Sequence, residues 1–339
     1  MNPLTPIGWI YGRISDARNA LYDRGVLQSH TLGAKTISVG NITTGGTGKT
    51  PLVALVADIL AERGEKVCIL SRGYGRKNAR SRVLVSDGEY VLVDAAIGGD
   101  EPVELARKLV GKAVVIADTD RVSAAKWALS KFGITAFVLD DGFQHRRAKR
   151  DLDIVCIDAT DPFGGGKMLP AGRLREPVEN LRRADAVVLT RADAGMDVGG
   201  LTERMARFVT LEKIFSASNR TVAITRRAQF FWGSQDRESS QMPEHIFAFC
   251  ALANPRSFYS LVGNERALVG ERSFRDHHIY AQDDIRDIEK NAHSVGAEAL
   301  VTTAKDAVKL ENLKFKIPCF VIEIETQASA GFREMLLSI

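Results

Sequence analysis

No hydrophobic run in this 339-residue chain approaches the roughly 18 residues that a membrane-spanning helix needs. The N-terminus carries no basic region followed by an apolar block, so no secretory signal is expected. Cysteine is scarce. Cys68, Cys156, Cys250 and Cys319 are scattered without a C-x-x-C pairing, and three of them lie in apolar runs that read as buried strands. That excludes a disulfide framework and a zinc site and fits a reducing cytosol. Charge of one sign is also lacking. The 46 Lys and Arg residues are offset by 42 Asp and Glu, and the net +4 is too mild to imply nucleic acid. Local clusters matter more, namely Arg146, Arg147, Lys149 and Arg150, and Arg182 with Arg183. There is no internal repeat and no low-complexity segment. What remains is ordinary for a globular protein with a real core, at 45% hydrophobic and 26% charged residues. The length suggests two domains, at about 100–200 residues each.

Against that plain background one stretch stands out, TISVGNITTGGTGKTPL at 36–52. It reads as a strand, a glycine-rich loop and the start of a helix. Gly45, Gly46 and Gly48 let the backbone curl until several N–H groups face one anion, with a helix N-terminus behind them. Lys49 is placed to reach the β- and γ-phosphates, and the Thr50 hydroxyl to hold Mg²⁺. Thr43 occupies the position where the strict G-x-x-x-x-G-K-[ST] pattern has its first glycine, with Gly40 three residues earlier. The Thr43–Thr50 loop, Thr47 included, is therefore expected to bind a nucleoside triphosphate.

Apolar strands follow at Val67–Leu70, Ala113–Ala117, Ile134–Leu139, Ile154–Ile157 and Ala186–Leu189, most of them ending in polar residues. Helical stretches such as 102–109 and 121–132 separate most of these runs. This alternation describes a mostly parallel sheet covered on both faces, with ligands at the C-terminal strand ends beside the phosphate loop. Residues 213–243 are expected as short strands and a polar linker hairpin, followed by a smaller α/β unit. The expected division is an N-terminal helix within 1–30, a P-loop domain over 31–212, a β linker over 213–243 and a second domain over 244–339. In the first segment Ile7, Ile10, Ile14, Ala17 and Leu21 share one helical face. Trp9, Tyr11, Tyr22, Arg13, Arg18 and Arg24 add aromatic and basic groups, so the pattern fits either a helix packed on its domain or one lying at a lipid interface.

Several clusters could carry chemistry. Val138-Leu139-Asp140-Asp141 ends a strand in two carboxylates, where a P-loop enzyme places the acid that completes Mg²⁺ coordination. Asp100, in Gly98-Gly99-Asp100-Glu101-Pro102, reads as a helix cap or as the acceptor of a proton from an attacking hydroxyl. His277 and His278 follow Asp276. Neighbouring side chains point apart, which argues against joint chelation, but one imidazole could tune an acidic base across a cleft. In LPAGRLREP (169–177), Arg173, Arg175 and Glu176 are either solvated charge or contacts to phosphate and Mg²⁺. Thr302-Thr303-Ala304-Lys305-Asp306 is a nucleotide-contact or helix-capping candidate.

Taken together, VGNITTGGTGKTP (39–51), SRGYGRK (71–77), GDEP (99–102), DDGFQHRR (140–147), LPAGRLREP (169–177), TRAD (190–193), DHHIY (276–280) and TTAKD (302–306) resemble the tetraacyldisaccharide 4'-kinase family of lipid A biosynthesis. The resemblance spans nearly the whole chain and implies two α/β domains joined by a β linker. It implies ATP-dependent, Mg²⁺-assisted phosphorylation of the 4'-hydroxyl of tetraacyldisaccharide 1-phosphate, giving lipid IVA and ADP. It makes Asp100 the general base, His277 its partner and Lys49 the phosphate-binding cation. Thr50, Asp140, Asp141 and Glu176 become metal candidates, and Arg72, Tyr74 and Arg121 phosphate or sugar contacts. It also implies a peripheral enzyme on the cytoplasmic face of the bacterial inner membrane, docked through its N-terminal helix, with the active-site mouth near residues 7–27. No nucleic acid and no obligate protein partner are expected.

Two other readings compete. A P-loop GTPase or metallochaperone-like switch draws on Thr190-Arg191-Ala192-Asp193, although Arg stands where the guanine signature has Lys. A nucleic-acid ATPase would use the basic cluster at 146–150, with no nucleic-acid fold motif in support.

Overall fold

The structure is a computed structural model that describes residues 3–192, 196–232 and 242–339. Asp193 of the TRAD motif and residues 233–241 of the expected polar linker lie outside the described residues. The strands are β1 (Lys35–Asn41), β2 (Val67–Ser71), β3 (Val83–Ser86), β4 (Ala113–Ala117), β5 (Ala136–Asp140), β6 (Leu152–Asp158), β7 (Ala186–Thr190), β8 (Ile214–Arg226), β9 (His245–Cys250), β10 (Ala267–Ser273), β11 (Ala299–Thr303) and β12 (Cys319–Ala328). The helices are α1 (Thr5–Asp23), α2 (Lys49–Glu62), α3 (Ala95–Gly98), α4 (Asp100–Lys108), α5 (Arg121–Phe132), α6 (Val198–Met205), α7 (Arg227–Trp232), α8 (Pro255–Glu265), α9 (Gln282–Ser294), α10 (Ala304–Ala307) and α11 (Ala330–Leu337).

The strands form one 12-stranded sheet in the order β10-β9-β11-β12-β8-β7-β6-β1-β5-β2-β4-β3. Only the β8–β12 and β3–β4 pairs are antiparallel. The mostly parallel α/β sheet with helices on both faces follows from side-chain alternation along each strand. On β5, Ala136 and Val138 join the cluster packed under α2, with Leu52, Val53 and Val56. Phe137 and Leu139 face the other way, toward Val122, Ala125 and Ala128 of α5. The smaller unit repeats this logic. Ile246, Ala248 and Cys250 of β9 meet Phe258 and Val262 of α8, while Phe247 and Phe249 meet Ile285, Ile288 and Ala292 of α9. All four cysteines are buried and unpaired.

The region read as short strands and a hairpin is different in the described part. It is one long strand, β8, followed by the helix α7. The start of β8 pairs in parallel with β7 from Val187↔Ile214 to Leu189↔Ser216. The rest pairs antiparallel with β12, from Ala217↔Ala328 to Arg226↔Phe320. A single strand can serve both partners because its two stretches use different neighbours, and this joins the two halves of the sheet without a break.

Helix α1 turns its small residues inward. Gly8 and Gly12 sit against Met168, and Asn19 is buried. Ile7, Ile10, Ile14, Ala17 and Leu21 are exposed, with Trp9 at 68% and Ile14 at 62% of full exposure. Arg18 donates to the Gln144 carbonyl, and Arg146 donates to the Asn19 carbonyl and to Asp23, which hold the helix down. No helix among the described residues is long and apolar enough to cross a membrane.

Gly40 shows how tightly the sheet end is built. A Cβ there would lie 2.5 Å from the Phe143 Cβ and 2.6 Å from its backbone nitrogen. Gly40→Ala is therefore expected to destabilise the fold by about 1–3 kcal/mol through overpacking. Urea unfolding should show a lower midpoint with an unchanged slope, and an unchanged midpoint would refute the packing argument.

Candidate active site

The ends of β1, β2, β5, β6 and β7 open into a cleft of about 2210 Å³, whose opposite wall comes from β8, α8, α10 and the loop before α9. Its floor is the phosphate loop. Gly45 (φ 101°) and Gly48 (φ 74°) adopt left-handed conformations that favour glycine, and Gly48 precedes the first turn of α2. The loop is braced by neighbours rather than free. Thr47 is buried, its hydroxyl accepting from Asn41 Nδ2 (2.8 Å) and its carbonyl from Thr190 Oγ1 (2.8 Å). Thr43 bridges to Leu174, and the Arg173 guanidinium donates to the Thr44 carbonyl from Nε (3.0 Å) and from the other fork (2.8 Å). A Cβ on Gly45 would sit 2.6 Å from that guanidinium. Gly46, Lys49 and Thr50 line the cleft between these braces.

Two carboxylates stand beside the loop in different electrostatic states. Asp141 is ion-paired with Arg175 (2.7 Å) and lies 3.6 Å from Lys49 Nζ. Burial acts to raise its pKa, but Lys49 and Arg175 hold it well below the usual carboxylate range. Asp140 is buried and accepts from Ser71 Oγ (2.8 Å). Burial, with Glu101 and Asp141 nearby, pushes it up to about 6. Asp140 Oδ1 is buried and has no hydrogen-bond partner among the described residues. An orphaned carboxylate oxygen beside a phosphate loop suits a divalent cation. The donor set suits Mg²⁺, which is usually held by one or two carboxylates plus substrate phosphates and water. Among the described residues no group of three His, Cys, Asp or Glu is placed to hold a metal without such help.

Beside the cleft, on the phosphate-loop half, Asp100 opens α4 and is 5% exposed. Its Oδ1 accepts from the Glu101 backbone N–H (2.9 Å), and its Oδ2 faces His277 Nδ1 at 2.7 Å. Burial acts to raise the Asp100 carboxyl, but the His277 hydrogen bond and the charges of Lys305, His277 and Lys309 carry it below its ordinary value. Burial acts to lower His277, and its bond to Asp100 overcomes this and raises it. Both shifts favour a carboxylate–imidazolium pair. His277 is one of three non-glycine residues at positive φ (61°) among the described residues. Tyr74 packs on it with ring centres 4.9 Å apart. His278 points elsewhere, to Asp284 (3.0 Å) and onto Phe274, so the histidines do not share a ligand.

The structure thus brings Thr43, Gly45, Gly46, Thr47, Gly48, Lys49, Thr50, Asp140 and Asp141 to one wall, with Arg72 and Tyr74 at the cleft and Asp100 and His277 facing each other. Two expected residues are placed differently. Glu176 is buried beneath α1, accepting from Asn19 (2.8 Å), Asn180 (3.0 Å) and Arg183 (2.7 Å), and it does not line the cleft. Those partners all use its Oε2, while Oε1 is buried without a hydrogen-bond partner among the described residues, so the carboxylate braces α1 away from the cleft. Arg121 is 4% exposed and donates to the Asp140 carbonyl (2.9 Å) and the Asp141 carbonyl (3.4 Å). It braces the carboxylate loop from behind and does not line the cleft. The sequence reading missed Asn41 and Ser71 as site residues, two strand-end polar residues that brace Thr47 of the loop and Asp140.

The model of the family "Tetraacyldisaccharide-1-P 4'-kinase" matches residues 2–339. A tetraacyldisaccharide 4'-kinase of Desulfotalea psychrophila is 36% identical, covering 98% of this chain and 96% of that protein. One of Anaeromyxobacter sp. (strain K) is 42% identical over 298 residues, 87% of this chain and 77% of that protein. The crystal structure of LpxK from Aquifex aeolicus in complex with ATP superposes with a TM-score of 0.78 at 30% identity, covering 99% of this chain and 97% of that one.

Asp140 supplies a pH test. A carboxyl raised to about 6 takes up its proton as pH falls through that value, so cation affinity should weaken below it. Calorimetric titration with Mg²⁺ and ATP between about pH 5 and 8 should show affinity rising with pH in the native chain and a flatter profile in Asp140→Asn. Identical profiles would exclude Asp140 from the cation site.

Proposed function

The chain belongs to the tetraacyldisaccharide-1-P 4'-kinase family, and from that premise we propose how its residues carry out the family's reaction. The chain is a lipid kinase, transferring the γ-phosphate of ATP to the 4'-hydroxyl of tetraacyldisaccharide 1-phosphate in lipid A biosynthesis. The GTPase-switch reading is not favoured.

In our reading Asp100 accepts the proton of the 4'-hydroxyl as its oxygen attacks the γ-phosphorus. The new O–P bond forms, the bond to the β–γ bridging oxygen breaks, and ADP leaves. A carboxylate held below its ordinary pKa is a weak base, and that suffices. Phosphoryl transfer passes through a loose transition state that asks mainly for positioning and charge neutralisation. His277 orients Asp100 and, as an imidazolium, keeps it ionised. The amides of the loop at 43–50 and Lys49 gather the β- and γ-phosphates. Mg²⁺, held by Thr50 with Asp140 or Asp141, supplies charge neutralisation on the phosphate oxygens when bound. Arg72 and Tyr74, at the edge of the cleft beside His277, are read as acceptor contacts. The observation that carries this reading is the 2.7 Å contact between Asp100 and His277, with His277 lining the cleft that holds the phosphate loop. We read 31–212 as the nucleotide lobe, 213–243 as its connection and 244–339 as the lobe that brings His277 to it.

We further infer that α1 lies in the membrane interface on the cytoplasmic side, so that the acyl chains stay in the bilayer while the sugar head enters the cleft. The outward stripe of Ile7, Ile10, Ile14 and Leu21, with Trp9 and Tyr11 exposed beside it, supports this.

Asp100→Ala is expected to cut turnover by roughly 10²–10⁴-fold, the scale of a lost general base, while ATP binding survives. Transfer of ³²P from γ-labelled ATP to the lipid in mixed micelles measures it, and normal turnover would sink the assignment. In His277→Ala, Asp100 loses a group that lowers its pKa, so the acidic limb of kcat/KM should move to higher pH. Replacing Ile10 and Ile14 together by Glu should weaken sedimentation with anionic vesicles about tenfold or more, since each burial in lipid contributes on the order of 1.5–3 kcal/mol. Undiminished sedimentation would remove α1 from the interface.

A further inference from the structure

The TTAKD segment has no part in the reading above, yet its Lys305, with Lys309 just beyond it, stands against the Asp100–His277 pair. Thr303 ends β11 and caps α10. Its hydroxyl accepts from the Asp306 N–H (3.0 Å) and donates to Asp306 Oδ2 (2.9 Å). Asp306 is fully buried and also accepts from the Ala251 N–H (2.9 Å), which ties this turn to the end of β9. So fixed, Lys305 on α10 and Lys309 in the turn after it both reach the neighbourhood of Asp100 and His277. Lys305 Nζ lies 3.3 Å from Glu101 Oε1 on α4 and 3.2 Å from Asp276 Oδ1, beside His277. It therefore spans the same gap as the Asp100–His277 contact. Lys309 Nζ is buried 4.0 Å from Asp100 Oδ2, with Asp306 Oδ1 at 2.8 Å and the Tyr280 ring centre at 5.2 Å.

We propose that Lys305 and Lys309 are positioning residues for the phosphoryl transfer. Lys305 latches Glu101 to Asp276 so that His277 reaches Asp100, and Lys309 is the buried countercharge behind the Asp100 carboxylate. This rests on the reading of Asp100 as the proton acceptor. The surroundings need such cations. Glu101 and Glu104 on α4, Asp276 beside His277 and Asp306 on α10 are all acidic, and burial already pushes Glu104 up to about 7. Without the lysines these carboxylates would drive a proton onto Asp100 and release the loop that holds His277. Both lysines carry Asp100 downward, so removing either must raise it.

The experiment measures kcat, KM for ATP and the pH profile of kcat/KM for the full chain in lipid micelles, with Lys305→Met, Lys305→Arg, Lys309→Met and Asp100→Ala side by side. Lys305→Met should lower kcat by roughly 10–10²-fold, the scale of a reacting group displaced by about an ångström, and leave KM for ATP unchanged. Its acidic limb should move to higher pH, as should that of Lys309→Met, and Lys305→Arg should recover most of the rate. Wild-type kcat and unshifted limbs in both Met variants, beside an inactive Asp100→Ala, would overturn the proposal alone. So would a rate loss in Lys305→Met that Arg does not rescue and that leaves the limb in place. Full turnover in Asp100→Ala would instead remove the base and this inference with it. Should Lys309→Met fail to give a cooperative thermal melt, Lys305→Met decides, because Glu101 and Asp276 keep contact with solvent.

Discussion

Asp100 and His277 are 177 positions apart in the chain, and their side chains meet at 2.7 Å. Holding two such distant groups at hydrogen-bond distance is the constraint that the architecture serves. One group opens α4 on the phosphate-loop half, the other sits in a strained turn after β10. A flexible tether between the halves would leave their spacing to chance. Here β8 belongs to both, pairing with β7 at its start and β12 along the rest, so the spacing is carried by backbone hydrogen bonds.

The phosphate loop shows the same preference for fixed surroundings. Its glycines supply the left-handed turns, but glycine alone would leave the loop costly to order around a nucleotide. Asn41, Thr190 and Arg173 remove that freedom beforehand by occupying the Thr47 hydroxyl, the Thr47 carbonyl and the Thr44 carbonyl. The amides that face the phosphates are thereby preorganised, and binding energy is not spent on ordering them. Charge is managed with equal economy. Asp141 is neutralised by Arg175 and Lys49, while its neighbour Asp140 keeps one oxygen without a hydrogen-bond partner among the described residues.

Much of this was legible in the sequence. Apolar runs ending in Asp140, Asp158 and Thr190 marked parallel strands with a ligand edge, and the Gly-Gly-Thr-Gly-Lys-Thr run could hardly be anything but a phosphate loop. Side-chain direction was not legible. Glu176 lies in a motif rich in arginine, and only the fold shows that Asn19, Asn180 and Arg183 hold it beneath α1. Arg121 was expected as a phosphate or sugar contact, and only the fold shows it buried behind the carboxylate loop. The extent of β8 escaped the reading because its polar, weakly alternating residues are specified by neighbours on both sides rather than by their own pattern.

Gly8 and Gly12 bring α1 so close to Met168 that its bulky side chains can go only outward. Leu4, Ile7, Trp9, Ile10, Tyr11 and Ile14 then form a stripe that water cannot comfortably wet, on a helix too well anchored by Arg18 and Arg146 to turn it inward. In a lipid-free solution that stripe is expected to draw amphiphiles from the solvent. The apparent particle size of the purified protein is therefore expected to depend on the amphiphile in its bath.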